Sequence, residues 1–351
     1  MTNKLALLTW VSILSIGMVS TITSAHATIS CAGYLPNSYF ERIENNKPFA
    51  GKLVEQADGM QQLQELNGKV LLDNLTDAYI LMDTYVLAKQ HGKYGVINAA
   101  GKIIVPFEYD EIHTEPDIAT SFIVSVKSSG DASNANKQGI INRHGDWIHK
   151  LSDAHIEHAH YDSDYDQNFF IVAKNNGLTG LLDDRGYWAI RPQYDAINPL
   201  NACTGEPLYL QVSLQNKTAL IDQNNDVIIP LAANQHIEAF NASAKPLLFL
   251  RSSLVAGSSA NGMSEDIQDD IVSAQIIDAN GKLILTSDAP IRKLLYHQLY
   301  TYKQAGKFGI VNDKGNVILE PQFDSYRDDA NEVWVEKNGK MQRLNTFIKL
   351  E

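Results

Sequence analysis

The sequence predicts an all-β protein built from repeated meanders, and three observations carry that prediction. The stretch "KYGVINAAGKIIVPFEYDEI" (93–112) returns two hundred residues later as "KFGIVNDKGNVILEPQFDSY" (307–326). The same grammar of two apolar residues, Asx, two variable residues, Gly or Asn and a second apolar run occurs at 96–105, 140–149, 181–190, 220–229, 276–285 and 310–319. Its Asx positions, 98, 142, 183, 222, 278 and 312, are spaced near forty residues with drift, the mark of a repeat array.

Each element of the unit has a local cause. An Asx side chain opening a turn accepts hydrogen bonds from backbone amides ahead of it, and Gly or Asn at the fourth position tolerates positive φ. Flanked by β-branched runs, such a turn closes a hairpin. A second turn precedes it in "LAKQHGKYG" (87–95), "IVAKNNGLTG" (171–180), "TYKQAGKFG" (301–309) and "WVEKNGKMQ" (334–342). The unit is therefore a three-stranded meander, closed where Pro106, Pro192, Pro230 and Pro321 withdraw a ladder donor. An aromatic–Asp pair follows three of these prolines, at Tyr109-Asp110, Tyr194-Asp195 and Phe323-Asp324, and its recurrence points to a strand-end role. Six to seven such units stack because one alone cannot bury its apolar face. "NGKVLL" (67–72) is a worn earlier copy, and 333–351 a partial last one. The array is either an open solenoid or propeller-like.

The units resemble the WG-repeat family of bacterial β-repeat proteins, closely at 93–112 and 307–326 and more loosely over 67–351. Tyr94-Gly95 and Phe308-Gly309 stand where that family has Trp-Gly, while Gln138-Gly139, Thr179-Gly180 and Thr218-Ala219 depart further. The resemblance implies a repeat shape and carries no particular activity.

The ends and the charge bound the setting. Lys4, the uncharged run 5–22 and the small-x-small close at Ala25 and Ala27 read as a signal peptide over 1–27, with a retained membrane anchor as the alternative. Residues 28–66 are expected to form a small helical N-terminal cap, and 67–351 the repeat domain. The expected location is periplasmic or extracellular. Cys31 and Cys203 could then pair as a disulfide or stay as two thiols. A formal net charge of −12 speaks against nucleic acid and anionic membrane surfaces as partners. No stable membrane insertion is expected after signal cleavage.

Candidate functional residues lie where the repeats differ. Two units lengthen the first turn, at 127–137 and 251–270, and equivalent turns share one rim, which makes both suspected binding surfaces. Either insertion could equally be idle. The stretch 153–168 supplies His155, His158, His160, Asp162 and Asp164 as weak candidate metal ligands. Gln167 and Ala173 at the sixth and twelfth positions from Asp162 exclude an EF-hand loop. There is no nucleophile elbow, phosphate loop or dinucleotide fingerprint, so no catalytic residue and no cofactor is expected. The expected function is a non-catalytic interaction scaffold whose partner is a protein or an envelope polymer. The alternatives are a metal-binding module on 153–168 and an envelope-polymer hydrolase with paired carboxylates.

Overall fold

The structure is a computed structural model. It describes residues 51–81, 85–98, 101–114, 121–127, 136–162, 167–201, 207–241, 247–256, 270–295, 298–329 and 332–348, the side chains of 160–162 and 167 excepted. The signal segment, Cys31, Cys203 and Asp164 lie outside them. No helix among the described residues is long and apolar enough to cross a membrane.

The described chain is a run of antiparallel sheets, each a simple meander in sequence order. The first holds β1 (Gly51–Glu55), β2 (Gln61–Glu65), β3 (Val70–Leu81), β4 (Tyr85–Gln90), β5 (Lys93–Asn98) and β6 (Ile103–Tyr109). The second holds β7 (Glu111–His113), β8 (Ser121–Lys127), β9 (Asn136–Asn142) and β10 (Trp147–Ser152). The third comprises β11 (His155–Asp162), β12 (Gln167–Ala173), β13 (Thr179–Asp183) and β14 (Trp188–Tyr194). β15 (Ala196–Pro199), β16 (Tyr209–Leu214), β17 (Lys217–Asp222) and β18 (Val227–Ala232) form the fourth. The fifth is β19 (Gln235–Ala239), β20 (Leu248–Leu254), β21 (Ile271–Asp278) and β22 (Leu283–Ser287). The sixth is β23 (Arg292–Lys293), β24 (Leu299–Gln304), β25 (Lys307–Asn312) and β26 (Val317–Phe323). The seventh has β27 (Ser325–Asp329), β28 (Glu332–Lys337) and β29 (Lys340–Arg343), before a 3-10 turn at Leu344–Thr346.

The array of meander repeats is observed, and its second to sixth sheets each have four strands where three were expected. The extra strand is the short run after each aromatic–Asp pair, such as β7 or β15, which pairs with the strand that follows it. The prolines accordingly sit inside the last strand of their sheets, where a missing N–H faces the open edge and costs no ladder bond. The expected helical cap is corrected for 51–66, which form β1 and β2. Asp58 and Gly59 make a tight turn there, with the Met60 amide donating to Asp58 Oδ1 at 3.0 Å and Gly59 at φ +80°, and Leu53 faces Leu63 across the ladder.

Alternation along the strands explains the stacking. On β12, Phe170 and Val172 join Ile123 and Ile140 of the second sheet, while Phe169 and Ile171 join Leu210 and Val212 of the fourth. On β20, Phe249 packs back on Tyr209 and Leu220, and Leu248 and Leu250 pack forward on Tyr300 and Tyr302. Every sheet between the ends thus supplies half of two cores. The first sheet doubles on itself, because Leu63 and Leu75 pack with Val86, Ala88 and Ile97. Its β1, β2 and the start of β3 are the worn copy foreseen around 67–72.

The Asx turns lock the joints. Asp183 Oδ1 accepts the amides of Arg185 (3.0 Å) and Tyr187 (2.8 Å), and Asp222, Asp278, Asn142 and Asn312 repeat the pair of bonds. Gly186, at φ +84°, also meets its neighbour: a Cβ there would lie 2.8 Å from the Ile148 carbonyl oxygen of the preceding sheet. Gly145 and Gly281 sit equally close to Ile104 and Ile228. The fourth turn position therefore serves two needs, positive φ and close approach of one sheet to the next.

Candidate functional site

The recurring aspartates hold hairpins. Asp195 Oδ2 accepts the Gln215 amide at 2.7 Å, and Asp288 Oδ2 the Ala305 amide at 3.0 Å. Asp110 takes the Lys127 amide at 2.8 Å and the Lys93 ammonium at 2.7 Å, and the Lys93 bond comes first among the causes that hold its carboxyl below the usual range. Asp324 repeats this with Lys307 and the Asn338 amide. Asp110, Asp195, Asp288 and Asp324 thus each brace a hairpin turn of the sheet that follows them, a mechanical task.

The two lengthened turns extend that same first turn. Lys127 pairs with Asn136 at the end of β8 and β9, and Leu254 pairs with Ile271 at the end of β20 and β21. Residues 128–135 and 257–269 lie outside the described residues. The strand ends that flank them correspond to the pairs Leu214–Lys217 and Gln304–Lys307 of the fourth and sixth sheets.

The histidine-rich stretch becomes β11, and strand alternation separates its ligand candidates. His155 is exposed, with Nε2 at 2.8 Å from Glu157 Oε1, a hydrogen bond that raises its pKa. His158 leaves the opposite face, its Nε2 2.9 Å from Asn168 Oδ1 and its ring edge-on to Phe170 at 5.6 Å. Burial lowers its pKa. His149 is tied to Ser152 Oγ at 3.1 Å and lowered by burial, then by Lys174. His160 and Asp162 fall beyond a bulge in β11. Among the described residues no group of three or more His, Cys, Asp or Glu side chains converges as a metal site.

Two features were not singled out in the sequence. One is a register of ionisable pairs on first strands: Glu111 with His113 (3.8 Å), His155 with Glu157, His236 with Glu238 (3.9 Å) and Arg327 with Asp329 (2.9 Å). The first three flank the inward Ile112, Ile156 and Ile237, so period-two alternation around a recurring apolar position was the available signal. The other is a row of exposed apolar side chains: Val70 opens β3, and Ile103, Trp147, Val227, Leu283 and Val317 open the last strands of their sheets. Ile103, Trp147, Val227 and Leu283 each precede an isoleucine that lies against a turn glycine of the next sheet. Apolar side chains recurring at an exposed register position offer a contact surface.

The model of the WG-containing repeat family matches residues 94–115 and 308–340, the two best copies of the grammar. Those two stretches match the WG-containing repeat. In them the motif's glycine has a packing task. A Cβ on Gly95 would lie 2.7 Å from the Phe107 ring, and one on Gly309 would lie 2.6 Å from Tyr302. No curated protein has a matching sequence. Among solved structures, a eukaryotic initiation factor is similar at 10% identity, over 82% of this chain and 76% of that one, with a TM-score of 0.40. The β-propeller domain of Cps50 (Swd1) from Myceliophteria thermophila is similar at 12% identity, over 72% and 89%, with a TM-score of 0.25. Sqt1 of Chaetomium thermophilum, bound to the N-terminus of the ribosomal protein L10, is similar at 11% identity, over 81% and 89%, with a TM-score of 0.27. Likenesses this distant assign neither shape nor activity.

Proposed function

We propose that this WG-repeat chain is an interaction scaffold that works outside the cytoplasm and binds a protein partner at several points along its repeats. The observation that carries this reading is the exposed apolar row Val70, Ile103, Trp147, Val227, Leu283 and Val317, held at one register by sheets whose cores interlock. A rigid surface presenting one contact per repeat gains affinity by multiplicity. Residues 1–27 support export, and the charge of −12 favours a partner with basic segments. The test is cross-linking of the full chain in its native envelope followed by capture and identification. One reproducible protein partner is the expected result, and recovery of polysaccharide alone or of nothing would overturn the reading.

A further inference from the structure

The cores shared by neighbouring sheets repeat one contact at a fixed register. In β8, β12, β16, β20 and β24 the residues facing the turn Asx are Ser121, Phe169, Tyr209, Leu248 and Leu299. Three residues further on stand Val124, Val172, Val212, Arg251 and Tyr302. The four apolar ones are buried, and they share a core with Leu87, Ile123, Ile171 and Leu250 of the preceding sheets. Arg251 is half-buried, and the fourth sheet sets Gln211 at the matching place. Alternation puts Gln211 on the face of β16 that holds Tyr209, and Arg251 on the face of β20 that holds Phe249. Neither belongs to the core between these two sheets, which Tyr209, Leu220, Phe249 and Ile277 build. In that series this joint alone sets a cation and an amide where the others close apolar on apolar.

No carboxylate neutralises the cation among the described residues. Arg251 Nε donates to Gln235 Oε1 at 2.7 Å and Nη1 to Gln275 Oε1 at 3.4 Å, and both acceptors are neutral. The recurring aspartate is missing here. Ile112 and Ile197 face Val124 and Val212 two residues after Asp110 and Asp195, whereas Ile237 faces Arg251 two residues after Gln235. Gln235 is itself anchored, its Nε2 donating to the Pro230 carbonyl at 3.0 Å, so it orients the guanidinium without compensating its charge. Nη2 has no partner among the described residues. It is not sealed off either, since the orphaned buried atoms are His236 Nδ1, Ser252 Oγ, Thr301 Oγ1 and Asp328 Oδ1. A guanidinium withdrawn from water calls for an anion or for acceptors on every nitrogen, and the chain supplies acceptors to Nε and Nη1 only.

We infer that Arg251, at the joint of the fourth and fifth sheets, binds a carboxylate group supplied from outside the chain. The fork of Nη1 and Nη2 matches the two oxygens of a carboxylate. Gln275 Nε2, likewise without a partner, adds a neutral donor beside it. A single guanidinium among amides suits one negative charge, and a net charge of −12 disfavours phosphate and other multiply charged anions. The site goes beyond the scaffold reading and does not depend on it. Its carboxylate comes from a free small acid or from a peptide chain.

The test titrates the full chain, carrying isotope-labelled arginine, with sodium acetate and separately with acetyl-Ala-Glu-Ala amide, each replacing chloride at constant ionic strength. The readouts are the Arg251 Nε–H resonance, assigned by its disappearance in Arg251→Gln, and Tm. Expected are a saturable shift of that resonance and a rise in Tm with the same midpoint. Arg251→Gln should weaken the Tm response about tenfold or more, the equivalent of one charge-assisted hydrogen bond. Arg251→Val, which installs the residue of the second, third and fourth sheets, gives the same loss if the glutamine variant folds poorly. A response to acetate supports the site and assigns a free acid as sufficient; a response to the peptide alone supports it and assigns a partner chain. No saturable shift with either probe, or an undiminished Tm response in both variants, overturns the proposal. Variants that merely lower Tm, beside a wild type indifferent to both probes, make Arg251 a brace between sheets and also overturn it.

Discussion

The smallest unit of this architecture is one glycine against one carbonyl. Gly186 combines φ +84° with the Ile148 oxygen at 2.8 Å from a Cβ, whereas Gly177 has φ +78° and open space. Gly177→Ala therefore isolates the backbone preference, at about 1 kcal/mol. Gly186→Ala adds a clash between sheets and is expected to cost about 2–3 kcal/mol by denaturant unfolding. Equal losses would show that the close approach is relaxed freely. A second residue-scale prediction concerns His158. Burial lowers its folded pKa, so the unfolded chain takes up a proton near pH 6.5 that the folded chain refuses. Its neutral form favours folding fully above that pH, and the contribution is lost as pH falls below it. Tm should decline from pH 7 to 5, and His158→Gln should flatten that slope. His155 runs the other way, since its bond to Glu157 raises its pKa: its contribution is complete below about pH 6.5 and is lost as pH rises through the raised folded value. It is exposed, so its share is small.

At the scale of the element, the hairpins were legible and the strands that begin each sheet were not. Asx-x-x-Gly turns declare themselves because side chain and φ requirement sit within four residues. β7 and β23, three and two residues long, carry no pattern of their own, and they exist because the neighbouring strand offers an open edge. The region 51–66 misled for a related reason: "GMQQLQELNG" has helix-forming residues, and pairing of Leu53 with Leu63 outweighs that weak preference. Asp110, Asp195 and Asp324 were legible as structural, while their partners in the turns were not, since the bond from Gln215 to Asp195 spans twenty residues. Asp195→Ala should cost about 1 kcal/mol by loss of that bond. The expected readout is faster amide exchange at Gln215 and Asn216 with little change at Gln223; uniform acceleration would mean the bond stabilises the whole chain. The exposed row escaped notice because edges become visible only once every strand has a place.

At the scale of the whole molecule, stability passes from sheet to sheet through shared cores. Phe249 is fully buried between the fourth and fifth sheets with Tyr209 5.1 Å away, ring to ring. Phe249→Ala should cost about 3–5 kcal/mol. In a nearest-neighbour array the loss falls on that joint, so hydrogen exchange should rise first in β16, β17, β20 and β21 while β8 and β9 keep their protection. A simultaneous rise everywhere would show one indivisible domain. The two-sided packing of β12 and β20 also bears on how such a chain changes length. A sheet that carries the plug for its predecessor on one turn and the socket for its successor on one strand is already complementary to a copy of itself. Tandem duplication of a single forty-residue segment would therefore insert a piece that fits on both sides at once, and drift could afterwards give the newcomer a longer turn or an unguarded rim without loosening its neighbours.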